Sequence, residues 1–347
     1  ERPTLKTIAR LSGLAVPTVS RALSDAPDIG KETKAKVQEI ARQIGYRRDR
    51  AAVRLRTGKT NVIALVIGAD RDSMNHTSHL ISSIALQLRE TAYHLIVMPY
   101  FQDESPMKPV RYLVETGAAD GIIINRILSN DPRVAYLSKF GFPFVMHGRT
   151  TDCHKHPYFD FDNVTYGRLA VESLHDRGRT NILMVAPPRD QNYAKNMILG
   201  AEQEAKARGV TFEVLADADS DADGARVRAA VQRKLTANPD IDAIIGASPS
   251  STMAATLGAE DLGRRLRDNF DIVGKEATMM LRAFRQDMVV VHEDFFEAGR
   301  FMARALVHAI DKPHEPPMQH IDKPTKAVRA TDFPDWMPVA DPTSTSS

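Results

Sequence analysis

The spacing of hydrophobic positions changes character twice along this chain, near residues 47 and 61. Up to Gly45 the period is helical. Leu5, Ile8, Ala9 and Leu11 place one apolar face on a helix over Leu5–Ser12, with Thr4 as its cap and Gly13 as its break. A second helix is predicted over Val16–Ser24, with Pro17 in the first turn, where a missing N–H costs nothing. Asp25, Ala26 and Pro27 interrupt the chain. The third helix, over Lys31–Ile44, repeats Ala35, Val37, Ile40, Ala41 and Ile44 and stops at Gly45.

Residues 47–60 (RRDRAAVRLRTGKT) carry only the short stretch AAVRL with helical potential. An isolated helix this short is marginal in water, so a linker that orders on docking is expected. From Asn61 short apolar runs alternate with amphipathic segments. Strands are predicted at Val62–Ile67, Leu95–Pro99, Gly121–Asn125 and Pro143–Met146, then at Ile182–Ala186, Phe212–Leu215, Ala243–Gly246, Ile272–Gly274 and Val289–Val291. Helices are predicted at His79–Thr91, Val164–Arg177, Asn192–Arg208 and Ser250–Leu266. Such alternation calls for parallel sheets with helices on both faces, and two tandem sets call for two similar lobes. From about Thr331 there is little to bury. The expected domains are therefore 1–46, 47–60 as a hinge, 61–330 as a two-lobed α/β body, and 331–347 as a flexible tail.

Composition narrows the class. The chain has 347 residues, 43% hydrophobic and 26% charged, as in an ordinary globular protein. No apolar run approaches the ~20 residues that span a bilayer, and ERPTLKTIAR lacks the apolar core of a secretory signal. The single cysteine, Cys153, excludes an internal disulfide framework and fits a cytoplasmic protein. The net charge of +2 hides an asymmetry: residues 1–60 hold 14 Lys+Arg against 6 Asp+Glu, and the remainder 32 against 38. A basic head on an acidic body suggests that the head alone meets a polyanion.

TIARLSGLAVPTVSRAL has the form of a helix-turn-helix motif, whose second helix lies in the DNA major groove. Its exposed face would hold Val16, Pro17, Thr18, Ser20 and Arg21. The Arg21 guanidinium suits guanine O6 and N7, and Val16 and Pro17 suit apolar contact such as a thymine methyl. Thr4, Thr18 and Ser20 suit phosphates. By these residues alone, a helical packing domain with a solvated basic face stays open. TLKTIARLSGLAVPTVSRAL followed by IGYRRDRAAVRLRTGKTNVIALV, however, resembles the lactose/galactose repressor (LacI/GalR) family, over nearly the whole chain. That resemblance implies a homodimer on double-stranded operator DNA, and a hinge helix whose Leu55 wedges into the minor groove. MPVADPTSTSS shows no leucine heptad of the kind that makes some members tetramers.

The resemblance also implies a body like periplasmic sugar-binding proteins, with a small effector held between two doubly wound lobes. Its crossovers would fall near Phe161–Asn163, Val291–Asp294 and Gln319–Lys323. Ligands of open α/β sheets sit beyond the carboxyl ends of strands. There the sequence places Asn125 and Arg126, His147 and Arg149, Asp160 and Asp162, Ser248 and Ser250, Glu276, Asp294 and Phe295. Carboxylates, an arginine, an amide and an aromatic ring suit a sugar's vicinal hydroxyls and its C–H face. The expected ligand set is Asn125, His147, Arg149, Asp160, Asp162, Ser250, Glu276 and Phe295. Met197 stands where many members carry an arginine, which argues against an anion clamp. HGRT, HPYFDFDN and NDPRVAYL are most similar to α-proteobacterial regulators of α-glucoside use. Walker, G-x-G-x-x-G, G-x-S-x-G and H-E-x-x-H motifs are absent and the histidines are scattered, so no enzyme, metal or cofactor is expected. Two alternatives stay open: an exported sugar-binding protein of the transport type, and a regulator that answers to a purine or a sugar phosphate.

Overall fold

The computed structural model describes residues 3–46, 58–69, 74–101, 103–277 and 279–329. These divide into two compact units, 1–60 and 61–347. The hinge segment with Leu55, and the tail 331–347, lie outside the described residues.

The first unit holds helices α1 (Leu5–Ser12), α2 (Val16–Leu23) and α3 (Lys31–Gln43). Thr4 and Thr7 form a reciprocal cap on α1, and Gly13 ends it in the left-handed region at φ 72°. Ile8, Val19, Ala22, Val37 and Ala41 are the buried core of this unit. Two positions depart from the expected pattern: Leu11 is 51% exposed and Ala35 is also at the surface. Ser12 is buried instead, because α1 turns its Ile8–Ser12 edge toward the other two helices.

The body is built of two lobes, each a six-stranded sheet covered on both faces. The first lobe's elements are β1 (Val62–Gly68), α4 (Met74–Leu88), β2 (His94–Tyr100), α5 (Met107–Thr116), β3 (Gly121–Ile124), α6 (Pro132–Lys139), β4 (Phe144–His147) and β5 (Tyr158–Phe161). The second lobe follows with α7 (Asn163–His175), β6 (Asn181–Val185), α8 (Asn192–Arg208), β7 (Thr211–Val214), α9 (Gly224–Ala237) and β8 (Ala243–Gly246). It continues through α10 (Pro249–Glu260), β9 (Asp271–Glu276), α11 (Met280–Phe284) and β10 (Val289–His292). The chain then returns to the first lobe for α12 (Phe295–Asp311) and β11 (Gln319–Asp322), and ends its described course in the second with β12 (Val328–Arg329).

The sheet orders are β11-β5-β4-β3-β1-β2 and β12-β10-β9-β8-β6-β7. Every pairing is parallel except β10 with β12. The runs VIALVIG, GIII and AIIG are apolar throughout because helices cover both of their faces. Crossovers between the lobes lie at residues 161–163, 292–294 and 323–327. Three strands escaped the sequence pattern. The stretch leading into the expected first crossover at Phe161–Asn163 is β5, and the segment expected as the third crossover is itself β11. Both have only four residues, YFDF and QHID, and neither shows an apolar run or a clear alternation. β12 has two residues, too few to show a period.

Among the described residues no helix is long and apolar enough to cross a membrane.

Candidate functional site

In the helical unit, Val16 and Pro17 open α2 and are exposed, with Val16 at 36%, while Val19 and Ala22 turn inward. Thr18 and Ser20 are half-buried on the flanks. Arg21 is exposed in the last turn, its guanidinium 2.5 Å from the Asp28 carboxylate. An exposed pair of this kind is worth ~0–1 kcal/mol, so a DNA base or phosphate can replace Asp28 at little cost. The Thr4 hydroxyl accepts from Thr7 N–H at 3.4 Å, which leaves it at the helix N-terminus, where anions are favoured. Lys36 donates to the Ser12 carbonyl at 2.9 Å and ties α3 to the turn.

In the body, the strand ends of both lobes face a cavity of about 180 Å3. The first lobe contributes Asn125 and Arg126 after β3, His147 and Gly148 at β4, and Asp160 and Phe161 of β5. The second contributes Tyr193 of α8, Ser220 and Asp221, Ser248 and Ser250 at the start of α10, and Lys275 of β9. Asn163, Glu293 and Phe295 come from the crossovers and the helices they lead into, and Leu80 of α4 closes one side.

The charged groups are paired. Arg126 binds Asp221 across the lobes. Lys275 lies 2.6 Å from Glu293, their side chains 12% and 7% exposed. Asp160 meets the Arg149 guanidinium at 2.8 Å. Burial nevertheless pushes the Asp160 carboxyl up to about 7, against the pull of Arg149. Desolvation also holds His147 below its usual value, so its imidazole is neutral and offers one donor and one acceptor. Its ring meets Phe295 edge-on, with centroids 5.4 Å apart. The Asn125 side-chain carbonyl is buried without a hydrogen-bond partner.

The segment from Arg126, which lines the cavity, to Asp131 also holds the lobes together. Leu128 bridges Gln191, and Asn192 N–H donates to the Ile127 carbonyl at 3.0 Å. The Asn192 amide donates to the Arg149 carbonyl at 2.9 Å, and Lys195 to the Ser129 hydroxyl at 2.8 Å. Arg126 itself adopts φ 55°, unusual for a side chain of this size. Its carbonyl is fixed by the Arg133 guanidinium at 2.9 Å.

Of the eight expected ligand residues, Asn125, His147, Asp160, Ser250 and Phe295 line the cavity. The other three do not. Asp162 is turned to the first turn of α7, where it accepts from Thr165 N–H at 3.0 Å. Glu276 accepts from Leu281 and Arg282 N–H, both at 3.2 Å, and so caps α11. Arg149 lies behind Asp160 and orients it. Met197 is fully buried in the core around β6, away from the cavity wall, so its neutrality says nothing about the ligand's charge. Tyr193, Asp221, Lys275 and Glu293 went unnoticed. Lys275 and Glu293 stand directly beside Glu276 and Asp294, and the rule of inspecting residues after strand ends would have found them.

The Asp160 environment has a measurable signature. A carboxyl raised from ~3.9 when unfolded to about 7 when folded binds its proton more tightly in the folded state. The stability it contributes is complete below the unfolded value and is lost as pH rises through about 7. Between pH 4 and 7 the wild-type melting temperature should therefore carry a downward component that Asp160→Asn lacks. Parallel melting curves for the two proteins would contradict the assignment.

Comparison with known proteins agrees with both units. Residues 4–49 match the model for bacterial regulatory proteins of the lacI family. Residues 60–308 match that for periplasmic binding proteins and the sugar binding domain of the LacI family. The chain is 28% identical to the HTH-type transcriptional regulator AglR of Rhizobium meliloti, over 97% of each chain. It is 26% identical to the HTH-type transcriptional regulator CelR of Thermobifida fusca, over 89% of this chain and 92% of that one. A solved Lac repressor dimer bound to operator and an anti-inducer shares the fold at a TM-score of 0.82, with 17% identity and coverage of 96% and 100%. A CelR–cellobiose complex does so at 0.70, with 24% identity and coverage of 95% and 100%. With a helix-turn-helix head and a periplasmic-binding-protein-like body both matched, the chain belongs to the LacI family and is a DNA-binding transcription regulator.

Proposed function

We propose that this regulator binds operator DNA as a homodimer and changes its operator affinity when a neutral sugar occupies the cleft of its body. In this reading residues 1–46 read DNA, 47–60 form the hinge, and 61–330 hold the effector and the dimer contacts. Arg21 reads a base, Val16 and Pro17 make apolar contacts, and Thr4, Thr18 and Ser20 meet phosphates. Leu55 is the minor-groove wedge, and the site of action is the cytoplasm, where the operator lies.

The observation that carries the effector class is the charge balance of the cavity. Arg126 is matched by Asp221, Lys275 by Glu293, and Asp160 by Arg149. Among the described residues no unmatched cation lines the cavity to receive a phosphate. The neutral His147, the Asn125 amide and Ser250 supply donors and acceptors, and Phe295 and Phe161 supply flat apolar faces. That combination suits a polyol with a C–H face, a glucoside above all. The cellobiose bound by CelR, a relative in sequence and fold, is in keeping with this class.

The test uses the full-length protein in calorimetry against α- and β-glucosides, sugar phosphates and purines. Binding of a neutral glucoside is expected. Tight binding of a phosphate or purine, with neutral sugars inert, would overturn the effector class but not the DNA-binding function. On DNA, Arg21→Ala should cost ~1–3 kcal/mol on the specific operator and relax preference at one base pair. Equal loss on operator and random DNA would show that Arg21 contacts phosphate only.

A further inference from the structure

The two charged pairs at the cavity that lie within one lobe and its crossovers, Asp160–Arg149 and Lys275–Glu293, are not equivalent. Asp160 and Arg149 both belong to the first lobe. Lys275, in contrast, is a residue of β9 whose partners lie on the crossovers themselves. Its ammonium meets Glu293 of the second crossover at 2.6 Å and the Asn163 side-chain carbonyl of the first at 3.3 Å. It also lies 4.4 Å from the ring centroid of Phe161, the residue where β5 gives way to the first crossover.

Those partners are themselves held. The Asn163 amide donates to the Phe161 carbonyl at 2.9 Å. Glu293 N–H donates to the Glu276 carbonyl at 2.9 Å, beside Lys275 on the same strand. One amine thus ties the first and second crossovers to each other and to the edge of the second lobe. Lys275, Glu293, Asn163 and Phe161 all face the cavity.

Resting on the reading that the cleft holds the effector, we infer that Lys275 is the positioning residue that couples cleft occupancy to the angle between the lobes. The strengths of its two bonds decide how. Glu293 is a buried carboxylate at short range, and separating it from the ammonium would strand a charge. Asn163 is a neutral acceptor at 3.3 Å, the weaker of the two. The three N–H donors of the ammonium are shared among Glu293, Asn163 and the face of the Phe161 ring, so a ligand hydroxyl that accepts from it displaces one of the two neutral partners at the first crossover and not Glu293. Occupancy therefore loosens the tie to the first crossover while the second stays fixed, and the lobes turn about the latter.

Lys275→Met alone would leave Glu293 buried and unpaired and can fail to fold. The test therefore uses Lys275→Met/Glu293→Gln, with Asn163→Ala as an independent second variant. Full-length wild type and variants are titrated calorimetrically with cellobiose and maltose. Operator affinity is then measured with and without the saturating sugar. In wild type the ratio of the two affinities should lie within the ~5–150-fold usual for allosteric coupling. In both variants it should fall toward one even at saturation, where weakened sugar binding no longer matters. A ratio equal to wild type in either variant, whatever the change in sugar affinity or melting temperature, would reduce Lys275 to a structural role. If neither sugar binds wild type, the neutral-glucoside reading loses its support, and the tie is still tested without ligand. Amide exchange at 161–163 and 292–294 should then be roughly tenfold or more faster in the double variant than in wild type, with β1 unchanged. Unchanged exchange in those segments would overturn the inference.

Discussion

Asp131→Ala is expected to destabilise the body by about 3–5 kcal/mol, the cost of leaving a buried charge without its partner. Arg133 is 2% exposed, and its guanidinium donates to Asp131 at 3.0 and 2.7 Å. The same carboxylate accepts from Leu128 N–H at 3.1 Å and from Arg133 N–H at 2.9 Å, capping α6. Alanine removes all four bonds and leaves a cation where water does not reach. At ~2–4 °C per kcal/mol for domains of this size, the melting temperature should fall by roughly 6–20 °C. The effect reaches the cleft, because Arg133 also holds the carbonyls of Asn125 and Arg126 at 2.9 Å. Effector binding should weaken with stability. Asp131→Ala/Arg133→Leu should recover much of the melting temperature, since it removes both charges. A single-variant loss under 1 kcal/mol would mean that Arg133 finds water or another acceptor.

The second large effect is expected at Gly200. Helices α7 and α8 cross so closely that a Cβ on Gly200 would stand 2.0 Å from the Val164 carbonyl oxygen, and one on Gly167 2.2 Å from that of Met197. Both obstacles are backbone atoms, so no rotamer change relieves them. Helix propensity favours alanine over glycine by ~1 kcal/mol, yet overpacking of this kind costs ~1–3 kcal/mol or more and should win. Gly200→Ala should lower the urea midpoint of the body. It should also impair the effector response, because α7 begins at Asn163 and must move away from α8. The control is Gly224→Ala in the first turn of α9, where a new Cβ would meet only the Ala254 methyl at 3.7 Å. That substitution should be neutral or stabilising. Equal midpoints for the Gly200 and Gly224 variants would refute the close-crossing argument.

Much of this architecture could be read along the chain because it is local. A cap at Thr4, a break at Gly13 and a proline at the second position of α2 each act within one helical turn. The helix Asn192–Arg208 matches its expected bounds, and Gly209 ends it in the left-handed region. Apolar runs such as VIALVIG announce a strand covered on both sides without any knowledge of what covers it. Helix starts were less legible. α4 begins at Met74, five residues before the expected His79, since Asn75, His76 and Thr77 carry no apolar signal of their own.

The site divides along the same line. Strand ends were legible, and with them Asn125, His147 and Phe295, because a parallel sheet always gathers its carboxyl ends at one edge, while Asp160 came into view only through its place beside the first crossover. The sequence by itself therefore determined the two-unit plan, the regulator family and the rim that faces the cavity. Which polar residue at that rim faces the cavity was decided only in three dimensions. Asp162 and Glu276 have the residue types and positions of ligands, yet a nearby helix N-terminus offers unpaired N–H groups and takes each carboxylate as a cap. The groups that replace them in the cavity wall, Tyr193, Asp221 and Lys275, come from three different elements of the second lobe. Their partners Arg126, Asn163 and Glu293 are 95, 112 and 18 residues away for Asp221 and Lys275. No local pattern encodes such pairs: Lys275 meets Glu293 because β9 and β10 pair in one sheet, and Arg126–Asp221 and Lys275–Asn163 form only once the crossovers have brought the two lobes together.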